Sequence, residues 1–190
     1  ISLVSGNIDL TGGPSANGGT QSSRLSAPGG QVNLASVASP GEVMLSGATG
    51  PILKGFTSLG NLSLVQGAVI DTSAPSAGRI VIRSGQFTME NAHLEATSTT
   101  TSPNAVTPVP AIETISIQAD HIGLSQGTTI RTSSIDSTAG NIIIEAGTMH
   151  SNVGVGATPL SGAAPVIIES LSTRTGGAGS ISLTGAAGGA

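Results

Sequence analysis

Short bursts of alternating aliphatic residues, nearly all introduced by glycine, recur along this chain and restrict its fold more than any other feature. They are Ile8/Leu10, Val32/Leu34, Val43/Leu45, Leu62/Leu64, Ile80/Ile82, Ile115/Ile117, Ile142/Ile144 and Ile181/Leu183. Alternation at period two marks a strand with one buried face. Gly, Pro and Ser-rich stretches intervene before a helical stripe can accumulate. In seven bursts a glycine stands two positions before the first aliphatic: Gly6, Gly30, Gly41, Gly60, Gly78, Gly140 and Gly179. Glu113 takes that place in the remaining one. Glycine is expected there because the chain turns with positive φ or because neighbouring backbones approach closely.

Longer self-similarity sets the order of the strands. Residues 62–73 align without a gap on residues 122–133, sharing Gln-Gly and a later Ile-x-Thr-Ser, and residues 80–87 align on 142–149. Within 78–98 the pattern predicts strands at 79–84, 86–91 and 93–97, and a second unit predicts them at 114–119, 121–126 and 128–133. Single-residue corners are too short for hairpins. The expected architecture is all-β, a parallel β-helix with three short strands per coil, each strand stacking on its counterpart one coil away. Such repeats bury a continuous core only when stacked. Residues 1–190 read as a single β-helical segment of a longer chain or filament. Ser/Thr/Pro-rich loops at 11–29, 97–111 and 152–165 are expected to protrude after the third strand, the second of them carrying Pro103, Pro108 and Pro110.

Composition removes several function classes. Charged residues make up 8% of the chain, against a norm of roughly 25%. Six Lys and Arg against ten Asp and Glu leave a net charge of −4, too small and scattered to attract nucleic acid or acidic lipid. A hydrophobic content of 37% and a mean hydropathy of +0.27 argue against disorder. No apolar run reaches the ~20 residues of a membrane span. The absence of Cys excludes disulfides and thiolate chemistry, and suits secretion.

Few constellations point to chemistry, and no catalytic residue, cofactor or metal is expected. Asp71 and Arg131 fall at equivalent outward positions, with Glu95 near the same face. A charged surface ladder is the simpler reading of these three, and a β-helix polysaccharide lyase or hydrolase is the catalytic one. His93, His121 and His150 are far apart, and His121 beside Asp120 reads as a corner hydrogen bond. Phe56 and Phe87 read as core, and Trp and Tyr, the usual sugar platforms, are missing. The sequon Asn61-Leu62-Ser63 lies in an expected strand, and the Gly-rich 176–179 lacks the Lys-Ser/Thr of a phosphate loop. Met44, Val81 and Ile143 are apolar at outward positions where other bursts carry Asp9, Asn33, Ser63, Ser116 or Ser182. They form a candidate interaction surface, open to another chain or covered by a long loop.

Three segments carry a family resemblance: Gly140-Asn141-Ile142-Ile143-Ile144-Glu145-Ala146-Gly147, the run Leu124 to Ser134, and Gly179-Ser180-Ile181-Ser182-Leu183. Together they resemble the repeats of filamentous-haemagglutinin-type exoproteins of two-partner secretion. The resemblance covers most of residues 30–185. It implies a right-handed β-helix and a filamentous, adhesive role at the bacterial cell surface or outside the cell. The Asn-Pro-Asn-Leu signature of that family's secretion domain has no counterpart here.

The expected function is therefore a structural or adhesive segment of a secreted surface filament, not an enzyme. Glycan binding through the Ser/Thr-rich loops stands as a further alternative. The chain opens on Ile1-Ser2-Leu3-Val4 and reaches Ile181-Ser182-Leu183 without an amphipathic helix at either end. Stacking of more β-structure on both ends is expected, from the same polypeptide or a second copy.

Overall fold

The computed structural model describes residues 1–14, 20–46, 49–99, 113–151, 164–174 and 177–187. All regular structure among them is β. In chain order, β1 (Ser2–Ser5) and β2 (Ile8–Thr11) are followed by a two-residue antiparallel pairing of β3 (Gly13–Pro14) with β4 (Thr20–Gln21), then β5 (Arg24–Ser26). Next come β6 (Gln31–Ser36), an antiparallel hairpin of β7 (Glu42–Ser46) and β8 (Gly50–Lys54), β9 (Asn61–Val65) and β10 (Val69–Asp71). The last part alternates long with short strands: β11 (Arg79–Glu90), β12 (His93–Ser98), β13 (Glu113–Leu124), β14 (Thr129–Ser134), β15 (Asn141–Ser151), β16 (Ile167–Ser172) and β17 (Ile181–Ala187).

Two parallel sheets hold the molecule together. In the first, of eight strands, β1, β6, β11, β13, β15 and β17 lie side by side, β9 pairs with the second half of β11, and β2 pairs with β9. The second, of five strands, runs β5, β10, β12, β14, β16. Neighbours in both follow chain order. The strands expected at 79–84 and 86–91 are one continuous β11, and 114–119 and 121–126 merge into β13. Their separation survives only as a break in the ladder, which steps from Ser84 opposite Ala119 to Gln86 opposite His121.

In-register pairing turns the sequence alternation into rows of like side chains. Leu34, Ile82, Ile117 and Ile144 form one row, Val32, Ile80, Ile115 and Ile142 another, and Leu62, Phe87 and Ile122 a third. Ile70, Leu94 and Ile130 continue the pattern in the second sheet. All are buried in a single cluster, so the two sheets share one core. Phe56 lies outside it, half-buried in the hairpin neck across Gly41. Position explains the difference: Phe87 sits in a stacked strand, whereas residues 37–59 leave the stack.

Five of the seven recurrent glycines answer to crowding, while Gly6 and Gly30 would meet only ordinary contacts. None of the seven has positive φ. A methyl group on Gly60 would overlap the Gly6 carbonyl, on Gly78 the Gly30 carbonyl, and on Gly179 the Gly140 carbonyl. At the Glu113 exception the register slips between Glu113 and Ile115, and the Thr114 hydroxyl occupies the space where a Gly140 side chain would go. Left-handed backbone appears instead between the second and third strands of three successive levels, at Gln66 (φ 55°), Gly67 (φ 84°), Asn91 (φ 48°) and Gly127 (φ 72°).

Excursions from the stack occur at several places rather than only after the third strand. Within the expected loop 11–29, Arg24–Ser26 is a strand of the second sheet, so the excursion closes by Ser23. That excursion and residues 152–166 both separate a second strand from a third, and Thr97 and Ser98 still belong to β12. Residues 100–111 and 152–163 lie outside the described residues. The Val43/Leu45 burst, expected in the stack, pairs antiparallel with β8 because residues 37–59 double back: Val37 bridges Leu59, and the Ala38 N–H donates to the Ser58 carbonyl at 3.1 Å.

Three substitutions test this packing. Ile117→Ala, in a side chain only 1% exposed, is expected to cost ~2–5 kcal/mol in urea melts; a loss under ~1 kcal/mol would contradict its inward row. Gly78→Ala should cost about 2 kcal/mol or more, whereas Gly13→Ala, with nothing within 4 Å of the added methyl, should stay within about 0.5 kcal/mol. Equal effects of the two glycine changes would remove the crowding argument.

Candidate functional site

Two polar features stand on the outer faces of the sheets. The first is a charged row on the second sheet. Asp71, Glu95, Arg131 and Glu169 are successive register partners on β10, β12, β14 and β16. The expected neighbours Asp71, Glu95 and Arg131 are thus side by side. Arg24 on β5 closes one end by donating from Nη2 to the Asp71 carboxylate, and Arg131 donates from Nε to Glu169. Sequence reading missed both partners. Arg24 sat inside an expected loop, and Glu169 follows a segment with no glycine-led burst.

Asp71 is the most enclosed of these groups, its side chain 10% exposed. Burial by itself raises the carboxyl's pKa. The hydrogen bonds from Ser73, whose backbone N–H donates to Oδ1 at 2.8 Å, together with the Arg24 guanidinium, outweigh that and hold the pKa below the ordinary carboxylate value. The carboxylate anchors the turn that leaves the third strand.

The second feature is an open groove of about 760 Å³ beside the β7–β8 hairpin. Pro51, Ile52 and Leu53 of the hairpin and Leu59 of its neck make an aliphatic wall. The floor is an outward row of the first sheet: Arg83 on β11, Gln118 on β13, Glu145 on β15 and Thr184 on β17, each the register partner of the next. Asp120 adds a carboxylate at the break in the ladder. Arg83 is held in place by donating from Nη1 and Nη2 to Ser116 Oγ, both at 3.2 Å.

The candidate surface Met44, Val81 and Ile143 is divided by the hairpin. Val81 and Ile143 occupy one row with Ser116 between them, but Val81 is fully buried. Gly50, at φ +83°, lies on it so closely that an added methyl would come within 2.7 Å of Val81 Cγ1. Ile143 is half-buried. Met44 belongs to the hairpin and not to that row; it pairs with Ile52, and both are exposed. A sequence pattern shared by stacked strands and hairpin strands cannot separate them.

His121 bonds across to the next strand, Nδ1 to Thr148 Oγ1 at 2.5 Å, instead of to Asp120. Gly123 is opposite His150 in the ladder, and His93 lies on β12 beside Val69. Among the described residues no three His, Asp or Glu side chains cluster in a way that could hold a metal ion, and no helix is long and apolar enough to cross a membrane. Comparison of the chain with family models, curated proteins and solved structures finds no match.

The depressed pKa of Asp71 has a direction in pH. A carboxylate stabilised in the folded state contributes fully above its unfolded pKa, and the contribution is lost as pH falls through the lower folded value. Urea midpoints measured from pH 7 down to about pH 2 should fall more steeply for the natural chain than for Asp71→Asn. The variant should be modestly weaker at pH 7, by about 1 kcal/mol. Parallel curves would show that Asp71 has the same affinity for protons folded and unfolded.

Proposed function

We propose that the chain is a right-handed parallel β-helical segment of a secreted bacterial surface filament or adhesin, of the filamentous-haemagglutinin type, with a structural and adhesive role. The observation that carries this reading is the chain-order stacking of both parallel sheets onto one aliphatic core. Parallel neighbours in chain order need a connection that returns to the same end each time, and a coil supplies it with short corners. On this reading β11 with β12, and β13 with β14, are successive coils, and long loops and the hairpin are insertions on a shaft.

The edges of the stack favour continued assembly. Leu3 at one edge and Ile181 and Leu183 at the other are 42–53% exposed, although the rows they join are buried further in. Unpaired strand edges with exposed aliphatics template further β-structure, here from the same polypeptide or a second copy stacked head to tail. A heterologous contact of this kind does not close, so it propagates into a fibre.

Light scattering and electron microscopy of the 190-residue chain test the proposal together. Rods that lengthen with concentration are expected, with a repeat of about 4.8 Å along the rod in fibre diffraction. A strictly monomeric particle at high concentration would remove the stacking argument. Release of product from acidic polysaccharides would replace the structural role with a lyase or hydrolase.

A further inference from the structure

The groove beside the hairpin has a construction that the shaft role does not require. Its floor offers one hydrogen-bonding side chain per strand in the order Arg83, Gln118, Glu145, Thr184. Adjacent strands are about 4.8 Å apart, so the four positions span about 14 Å. Gln118, Glu145 and Thr184 are exposed. The wall is aliphatic and belongs to a different element, pressed onto the sheet through Gly50 over Val81.

The geometry points to a lateral binding site for an extended, unbranched, uncharged glycan of about three sugars. Three features select that ligand. The spacing of the floor side chains is close to the length of one hexose in an extended chain, so successive hydroxyl groups meet successive donors and acceptors in register. An extended peptide advances only about 3.3 Å per residue and drifts out of step. The floor and corner carry one guanidinium and two carboxylates, from Arg83, Glu145 and Asp120, a balance that repels a polyanionic chain. The amide of Gln118 and the hydroxyl of Thr184 each donate and accept, which suits hydroxyl groups. Exposed Ile52 and half-buried Leu53 provide a surface for the C–H face of the rings. Without an aromatic platform the site binds weakly, with a Kd of about 1 mM, and a filament presenting many copies gains by multivalency.

This inference does not depend on the filament reading, since a monomeric chain carries the same groove. The probes are cellotetraose, mannotetraose and xylotetraose, with tetragalacturonate and an extended tetra-alanine peptide as controls. Binding is followed by nuclear magnetic resonance on the isotopically labelled chain. At least one neutral tetrasaccharide is expected to shift the amide signals of Leu53, Gln118 and Glu145, saturating in the millimolar range. Gln118→Ala combined with Glu145→Ala changes only exposed side chains. The double variant should keep the natural melting curve and lose affinity by about ten-fold. If the double variant fails to fold, Thr184→Ala is the second test, with an expected loss of about three-fold. The proposal is overturned if none of the neutral probes shifts these signals, if the folded variants bind as well as the natural chain, or if tetragalacturonate or the peptide binds more tightly than every neutral sugar.

Discussion

In-register parallel stacking is the constraint on which the rest of the structure depends. Each residue of a stacked strand has as neighbours the residues at the same position one strand above and one below, about 4.8 Å away. Rows of aliphatics gain from this on the inside. On the outside the same geometry penalises charge, since like charges about 5 Å apart repel by roughly 1 kcal/mol even in water. A surface of Ser, Thr, Asn, Gln and Gly avoids that cost, and it accounts for a charged content of only 8%. Where charges do occupy a row they are mixed in sign: Asp71 and Glu95, the like-charged neighbours, are flanked by Arg24 and Arg131.

The corners follow from the same spacing. Once strands are stacked, the chain segments entering them are stacked too, and their backbones crowd. Gly78 against the Gly30 carbonyl, and Gly179 against the Gly140 carbonyl, have room for hydrogen only. At the Gly140 corner the carbonyl finds its partners in inward hydroxyls of the third strand, whereas the Gly30 carbonyl accepts the Arg79 N–H. Thr132 Oγ1 donates to the Gly140 carbonyl at 2.6 Å, and Ser170 Oγ to the same oxygen at 3.1 Å. The recurring Thr of Ile-x-Thr-Ser is therefore a corner residue in function, although it lies within a strand. Its counterpart Thr72 keeps the position with a buried hydroxyl that has no partner among the described residues, so at that level the row is maintained without the bond seen at Thr132.

Much of the stack was legible because sequence alternation and spatial rows are the same pattern. The alignment of residues 62–73 on 122–133 matches a pairing two strands apart, with Leu62 reaching Ile122 through Phe87 and Ile70 reaching Ile130 through Leu94. The shorter strands were less legible. Arg24-Leu25-Ser26 offers a single aliphatic, too little for period two to register, yet it pairs with β10 residue for residue. Val43/Leu45 carries the glycine and the alternation but turns back on itself and leaves Leu45 59% exposed, because alternation alone does not distinguish a stacked strand from a hairpin strand. The groove was illegible for the same reason. Its floor is regular and could be read as outward positions, while its wall depends on where residues 37–59 fold.

The hairpin thus separates what the repeat dictates from what it permits. A stacked strand cannot change one side chain without regard to those above and below it, so the repeated faces vary slowly and recognise little. An insertion between two strands is free of that restriction, provided its ends return to adjacent positions of the stack. Residues 37–59 meet the condition through the Val37 to Leu59 bridge, and Ser39 Oγ accepts the N–H groups of Thr57 at 2.8 Å and Ser58 at 3.2 Å. The neck is held by backbone and one hydroxyl, leaving the aliphatics beyond it to meet the sheet. Gly50 lies over Val81, which would otherwise be an exposed valine on a polar face, and the residues that follow it raise a wall beside Gln118 and Glu145. A single insertion at one level converts a uniform face into a concave one, and the repeat supplies the evenly spaced polar groups along its floor.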